Sequence, residues 1–120
     1  MRLNHLGLPV RDAERSVRFY AAYFGFDPST ARRYDDGTVI VRDAGGFDLA
    51  FHAVDAVGAP PEFLHFGFRS PAPDEVRALL ARLEAAGAEI LERHDEPAYV
   101  AFKVADPDGH RVEAYWEPPS

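Results

Sequence analysis

Apolar and polar positions alternate with a period of two from Leu3 to Val10, with Leu6, Leu8 and Val10 on one face and His5 and Gly7 on the other. This predicts a strand buried on one side. The period then lengthens to that of a helix: Val17, Tyr20, Ala21 and Phe24 recur at i, i+3, i+4 and i+7, with Asp12 placed as N-cap and Gly25 as terminator. Three short strands follow near Ala31–Asp35, Thr38–Arg42 and Phe47–Ala53, separated by turns at Asp36-Gly37 and Ala44-Gly45-Gly46.

The same order then recurs. A strand at Phe63–Arg69 is followed by a helix from about Asp74 to Ala86, with Val76, Leu79, Leu80 and Leu83 on its inner face and Gly87 at its end. Strands near Glu89–Arg93, Tyr99–Val104 and Arg111–Trp116 complete the copy, the last two joined by the turn Asp106-Pro107-Asp108-Gly109. Asn4-His5-Leu6-Gly7-Leu8 opens the first copy and Leu64-His65-Phe66-Gly67-Phe68 the second, sixty residues later. A repeat of this length predicts two fused βαβββ modules, about 1–53 and 62–117, in one α+β domain. The linker Val54–Pro61 is too short to separate independent domains. Aligning Gly46 with Gly109 lays Leu49–Phe51 over Val112–Ala114, so Ala50 stands where the second copy has Glu113.

Strand alternation assigns the faces. Val112, Ala114 and Trp116 are expected to face the helix, and Arg111, Glu113 and Tyr115 to face away. His65, Gly67 and Arg69 fall opposite Leu64, Phe66 and Phe68; Asp48, Ala50 and His52 fall opposite Phe47, Leu49 and Phe51; Tyr99 and Lys103 fall opposite Val100, Phe102 and Val104. With the helices on the outer face, the simplest architecture is a curved mixed sheet around a cup lined by His5, His52, His65, Lys103, Glu113 and Tyr115.

Composition narrows the chemistry. The 120 residues are 47% hydrophobic with nine Phe, enough for one core, and contain no cysteine. Disulfides, thiolate zinc sites and cysteine nucleophiles are excluded, so any metal must be held by imidazole and oxygen. A net charge of −7 without a Lys/Arg run argues against nucleic acid as a partner. No apolar run reaches membrane-spanning length and no signal peptide is evident, which makes the cytoplasm the expected compartment.

The two βαβββ halves, the His-x-Gly first strands and the run Asp106-Pro107-Asp108-Gly109-His110-Arg111-Val112-Glu113 resemble the vicinal oxygen chelate superfamily. It embraces glyoxalases, extradiol dioxygenases, fosfomycin-modifying transferases and bleomycin-resistance proteins. The resemblance spans nearly the whole chain and implies His5, His65 and Glu113 as ligands of a divalent metal, Fe(II) or Mn(II) before Ni(II) or Zn(II). Ala50 stands where glyoxalase I resemblance requires a fourth, acidic ligand, and Gly7 where fosfomycin-modifying enzymes have a hydroxyl residue. Arg93-His94 and Trp116 resemble extradiol dioxygenases, although that family's active-site tyrosine falls on Lys103. The resemblance therefore implies a metal-dependent enzyme acting on a small substrate chelated through neighbouring oxygens, dioxygenase-like narrowly ahead of lyase or isomerase. His52, Tyr115 and Lys103 are its expected catalytic side chains, and Arg42, Arg69, His94 and Tyr99 its expected substrate contacts. The alternatives are metal-free sequestration of an antibiotic, as in bleomycin-resistance proteins, and a degenerate module kept for structure. Small relatives pair as homodimers, and a homodimer is expected here.

Overall fold

A computed structural model describes residues 1–120. The chain divides into two compact units, Met1–Gly58 and Ala59–Ser120. The first contains β1 (His5–Val10), α1 (Ala13–Tyr23), β2 (Phe26–Arg33), β3 (Val39–Asp43) and β4 (Asp48–Ala53). The second repeats the order with β5 (Phe66–Arg69), α2 (Pro73–Ala85), β6 (Ile90–Glu96), β7 (Tyr99–Ala105) and β8 (Arg111–Trp116). Each unit has its own four-stranded mixed sheet, ordered β1-β4-β3-β2 and β5-β8-β7-β6. In both, the first strand runs parallel to the last and every other pairing is antiparallel. This is the α+β, tandem βαβββ fold that the periodicity predicts.

A parallel pair requires a crossover, and the helix between first and second strands supplies part of it while covering one sheet face. In the first unit Tyr20 of α1 is fully buried, stacked on Phe51 of β4 at 5.5 Å between ring centroids and edge-on to Phe26 of β2 at 6.1 Å. Leu8, Val10, Val39, Val41 and Leu49 complete that core. In the second unit Val76 and Leu83 of α2 are buried, as are Val100, Phe102, Val104, Val112 and Ala114 of β7 and β8. The alternation of β4, β7 and β8 therefore resolves as expected. Trp116 is half-buried, at the end of its strand, and does not join the fully enclosed set.

Three boundaries differ from the sequence reading by three residues or more. β2 begins at Phe26, five residues earlier than expected, and contains Pro28. Proline is tolerated there because β2 is an edge strand. The register shifts between Asp27 and Arg32, where the Thr30 hydroxyl donates to the Asp27 carbonyl at 2.6 Å and accepts from the Arg42 N–H at 2.8 Å. β6 runs on to Glu96 through its pairing with Tyr99. β5 is shorter than expected, starting at Phe66, because a turn occupies Pro61–Leu64; His65 lies just ahead of the strand.

The helix starts are built differently. Asp12 caps α1 by accepting from the Arg15 N–H at 3.1 Å. α2 opens at Ala72, which has no capping side chain, with Pro73 in the first turn. Both helices run out into glycines at positive φ, Gly25 at +77° and Gly87 at +79°. Asp12→Ala is expected to lower unfolding stability by about 1 kcal/mol, and Ala72→Ser to raise it by a few tenths to about 1 kcal/mol. Urea titrations with unchanged m-values would check both; equal effects at the two positions would contradict the difference in capping.

Candidate functional site

In each unit the parallel pairing places the first strand's glycine beside one particular residue of the last strand. In the second unit Gly67 is the register partner of Glu113; in the first, Gly7 is the partner of Ala50. The correspondence of Ala50 with Glu113, inferred from glycine spacing, is thus reproduced by the hydrogen-bonded ladders. The glycines keep space for neighbouring side chains. A Cβ on Gly67 would stand 3.1 Å from Glu113 Cβ and 3.2 Å from its Oε1, and a Cβ on Gly7 would stand 3.1 Å from His52 Nε2. Glu113 therefore folds over one glycine and the His52 imidazole over the other.

The histidines ahead of these glycines are both exposed, and both engage Nδ1 locally. His65 Nδ1 lies 2.7 Å from the Phe63 carbonyl oxygen and His5 Nδ1 2.9 Å from Asn4 Oδ1. An oxygen acceptor at Nδ1 puts the proton there and leaves the Nε2 lone pair for another partner, the arrangement metal-binding histidines use.

Around Glu113 the second sheet presents Tyr99, Lys103, Tyr115 and Arg69. Burial first, then the charge of Glu113 and a side-chain hydrogen bond to it, raise the Tyr99 pKa above the usual phenol value. The His94 ring lies 5.6 Å from that of Tyr99, and its Nε2 is 3.5 Å from Glu92 Oε2. Lys103, the register partner of Glu113, gives its ammonium to Glu92 at 2.8 Å, and that hydrogen bond holds the Glu92 carboxyl below its ordinary pKa. Arg69 binds Glu117 at 3.1 Å and lies over the Tyr115 ring, 5.8 Å from its centroid.

In the first unit His52 Nδ1 lies 3.1 Å from the Thr38 hydroxyl. Arg42 is paired with Asp48, Nε to Oδ1 at 2.9 Å, and Arg32 reaches the same carboxylate at 3.1 Å. Asp48 is the register partner of His5. The Arg42 hydrogen bond, followed by the charges of Arg42 and Arg32, outweighs partial burial and lowers the Asp48 pKa.

The structure thus gathers Glu113, Tyr99, His94, Lys103, Tyr115 and Arg69 on one sheet, with His65 at its edge, and His5, His52 and Arg42 on the other. Neither unit by itself collects three metal-ligating side chains. Sequence reasoning passed over Thr38, Asp48, Glu92 and Phe63 as partners of site residues. Asp48 and Glu92 carried a signal, since each falls on the same face as the cation that binds it. Phe63 carried none, because a bulky aromatic does not announce a positive φ.

Known proteins resemble this chain in sequence and fold. Residues 2–114 match the Glyoxalase/Bleomycin resistance protein/Dioxygenase superfamily, and the chain belongs to it. A trivalent organoarsenical cleaving enzyme from Bacillus sp. (strain MD1) is 28% identical over 97% of this chain and 73% of its own length. A possible glyoxalase from Bacillus cereus superposes with a TM-score of 0.80 at 27% identity, covering 95% of this chain and 97% of that one. The fosfomycin resistance protein FosX of Listeria monocytogenes, solved as a mutant with Mn(II) and dihydroxypropylphosphonic acid, shares the fold at a TM-score of 0.78 and 18% identity, covering 98% and 92%. The superfamily's members include enzymes acting on small molecules. No helix of the chain is long and apolar enough to cross a membrane.

The Asp48 cluster yields a prediction with a definite sign. A depressed carboxyl pKa contributes stability that is present at neutral pH and is lost as pH falls through the folded value. Asp48→Asn is therefore expected to lower the urea midpoint at pH 7, and the gap to wild type should close on acidification below about 3.9, the ordinary aspartate value. A gap of the same size at both pH values would rule out the Arg42 and Arg32 contacts as its source.

Proposed function

We propose that this chain is a divalent-metal-dependent enzyme whose small substrate is chelated through two neighbouring oxygens, with His5, His65 and Glu113 as protein ligands and dioxygen-dependent ring cleavage as the reaction. The observation that carries this reading is the broken symmetry of the two ladders, Glu113 beside Gly67 but Ala50 beside Gly7. Two imidazoles and one carboxylate, with no second acid in the equivalent position, form the donor set of non-haem Fe(II) oxygenases and leave coordination positions open. A fourth protein ligand, which would favour a lyase or isomerase of the glyoxalase I kind, has no residue to supply it there.

The residues present suit such an ion. His65 and His5 have Nδ1 engaged on oxygen, and the Glu113 carboxylate lies in the space that Gly67 leaves free. The metal, Fe(II) or Mn(II) in this reading and Ni(II) or Zn(II) as other ions the donors accept, supplies Lewis-acid stabilisation of charge on the chelated oxygens. Tyr99, held as a phenol, orients the Glu113 carboxylate and donates to it. His52 is positioned to take or return a substrate proton at Nε2, with Nδ1 on the Thr38 hydroxyl. Lys103 and Tyr115 complete the catalytic set, while His94 and Tyr99 form a ring pair against which a planar substrate can stack. In this reading Arg42 and Arg69 are the substrate-contacting cations, but Asp48 and Glu117 already balance their charges, so a phenol suits them better than a strongly anionic ligand. The trivalent arsenic of the Bacillus relative's substrate is a poor fit, because it favours thiolates and this chain has no cysteine. We place the working site in a homodimer, in the cytoplasm.

Metal analysis of the untagged protein after incubation with Fe(II), Mn(II), Ni(II) and Zn(II) tests this directly. His5→Ala, His65→Ala and Glu113→Ala are each expected to weaken metal affinity by more than about a hundredfold, and Gly67→Ala, which crowds the carboxylate, by about tenfold. Wild type as metal-free as the variants would sink the proposal, and tight bleomycin binding by that protein would point to sequestration. Oxygen uptake with a catechol panel then distinguishes ring cleavage from lyase or isomerase chemistry, which consumes no dioxygen.

A further inference from the structure

Phe63 is the only non-glycine residue with a positive φ, at +68°. Burial of its ring does not hold it there, because the residue is 83% exposed. L-residues with a Cβ rarely adopt this conformation, and it persists where the surroundings over-determine it. The surroundings here are a turn in which the Leu64 N–H donates to the Pro61 carbonyl at 3.2 Å, with Phe63 as third residue, the position that takes positive φ in a type II turn. The same Pro61 carbonyl accepts a second bond from Arg111 Nη1 at 2.7 Å. Arg111 lies two residues before Glu113 on β8, on the same face. The carbonyl of Phe63 itself accepts from His65 Nδ1 at 2.7 Å.

We propose that the Pro61–Leu64 turn, clamped to β8 by Arg111, is a positioning device that fixes His65 as its Nδ1–H tautomer and turns the Nε2 lone pair outward. Its use in catalysis rests on the reading of His65 as a metal ligand; the tautomer itself does not. A backbone carbonyl has no proton to give, so Nδ1 must carry it. The first unit lacks this device. His5 leans on the Asn4 side chain, not on a backbone carbonyl, and Leu3, in the place of Phe63, has no positive φ. The second unit therefore holds its imidazole on a backbone acceptor, immediately ahead of the strand that pairs with the carboxylate's strand, and the clamp ties the position of one to that of the other.

The test is long-range proton–nitrogen NMR on the full chain labelled with 15N-histidine, stripped of metal, at about pH 8.5 where imidazole is neutral. His65→Gln assigns the resonance. Wild type is expected to show a protonated Nδ1 and an unprotonated Nε2 at His65. Phe63→Gly keeps the carbonyl, relieves the backbone and should retain that tautomer. Phe63→Pro cannot take a positive φ. It and Arg111→Met should shift His65 toward the Nε2–H form, with Arg111→Met also weakening Mn(II) binding about tenfold. A wild-type His65 protonated at Nε2, or a tautomer unmoved by both Phe63→Pro and Arg111→Met, would overturn the inference even if metal binds. A protein that takes up no metal yet keeps the Nδ1–H tautomer in this pattern supports the turn's role and refutes the metal reading alone.

Discussion

The parallel ladder between the first and last strands of each module is the constraint on which the rest of the structure depends. It places Gly67 against Glu113 and Gly7 against Ala50, and a one-residue slip would turn every side chain of the strand to the other face. Burial enforces the register. Val112 and Ala114 must meet the α2 side, as Leu49 and Phe51 must meet α1, because apolar area equal to one such side chain is worth about 1.5–3 kcal/mol when removed from water. The polar positions between them have no choice of face. Glu113 stands where it does because its neighbours are apolar.

The same logic explains why duplication leads to asymmetry in chemistry without loss of fold. The helix-facing set is apolar in both copies, so both cores form. The opposite face is free to diverge, and it has: a carboxylate over glycine in one unit, an imidazole over glycine in the other. The cations of that face are mostly engaged, Lys103 by Glu92, Arg69 by Glu117 and Arg42 by Asp48. The exposed Arg69–Glu117 pair contributes little to stability, whereas Asp48, more enclosed and shared by Arg42 and Arg32, contributes more. The effect of these pairs is to neutralise both faces locally in a chain whose net charge is −7, which leaves Glu113, beside Tyr99, as an acid without an ion-pair partner in its sheet.

Much of this was legible in the amino-acid order. Helix positions, the Asp12 cap, the terminating Gly25 and Gly87, the outward face of β8 and the equivalence of Ala50 with Glu113 all follow from periodicity and glycine spacing, because each depends on neighbours within a few residues or on the repeat itself. The boundaries that moved depend on partners far away. β2 starts early because, as an edge strand, it can carry Pro28, and a Thr30 hydroxyl bridges its irregular ladder to Arg42. β5 is short because a carbonyl at Pro61 finds Arg111, fifty residues on.

What the sequence by itself determined is the α+β module, its duplication, the face on which each polar residue lies and the donor types available to a metal, since these follow from side-chain period and composition. Only the tertiary structure decided the surroundings of those residues: which cations are already paired, that Tyr99 lies beside Glu113, and that an unfavourable backbone conformation at Phe63 turns a carbonyl onto His65. Period records which way a side chain points, but tautomer, charge pairing and φ are set by atoms that meet only when distant strands are hydrogen-bonded in register.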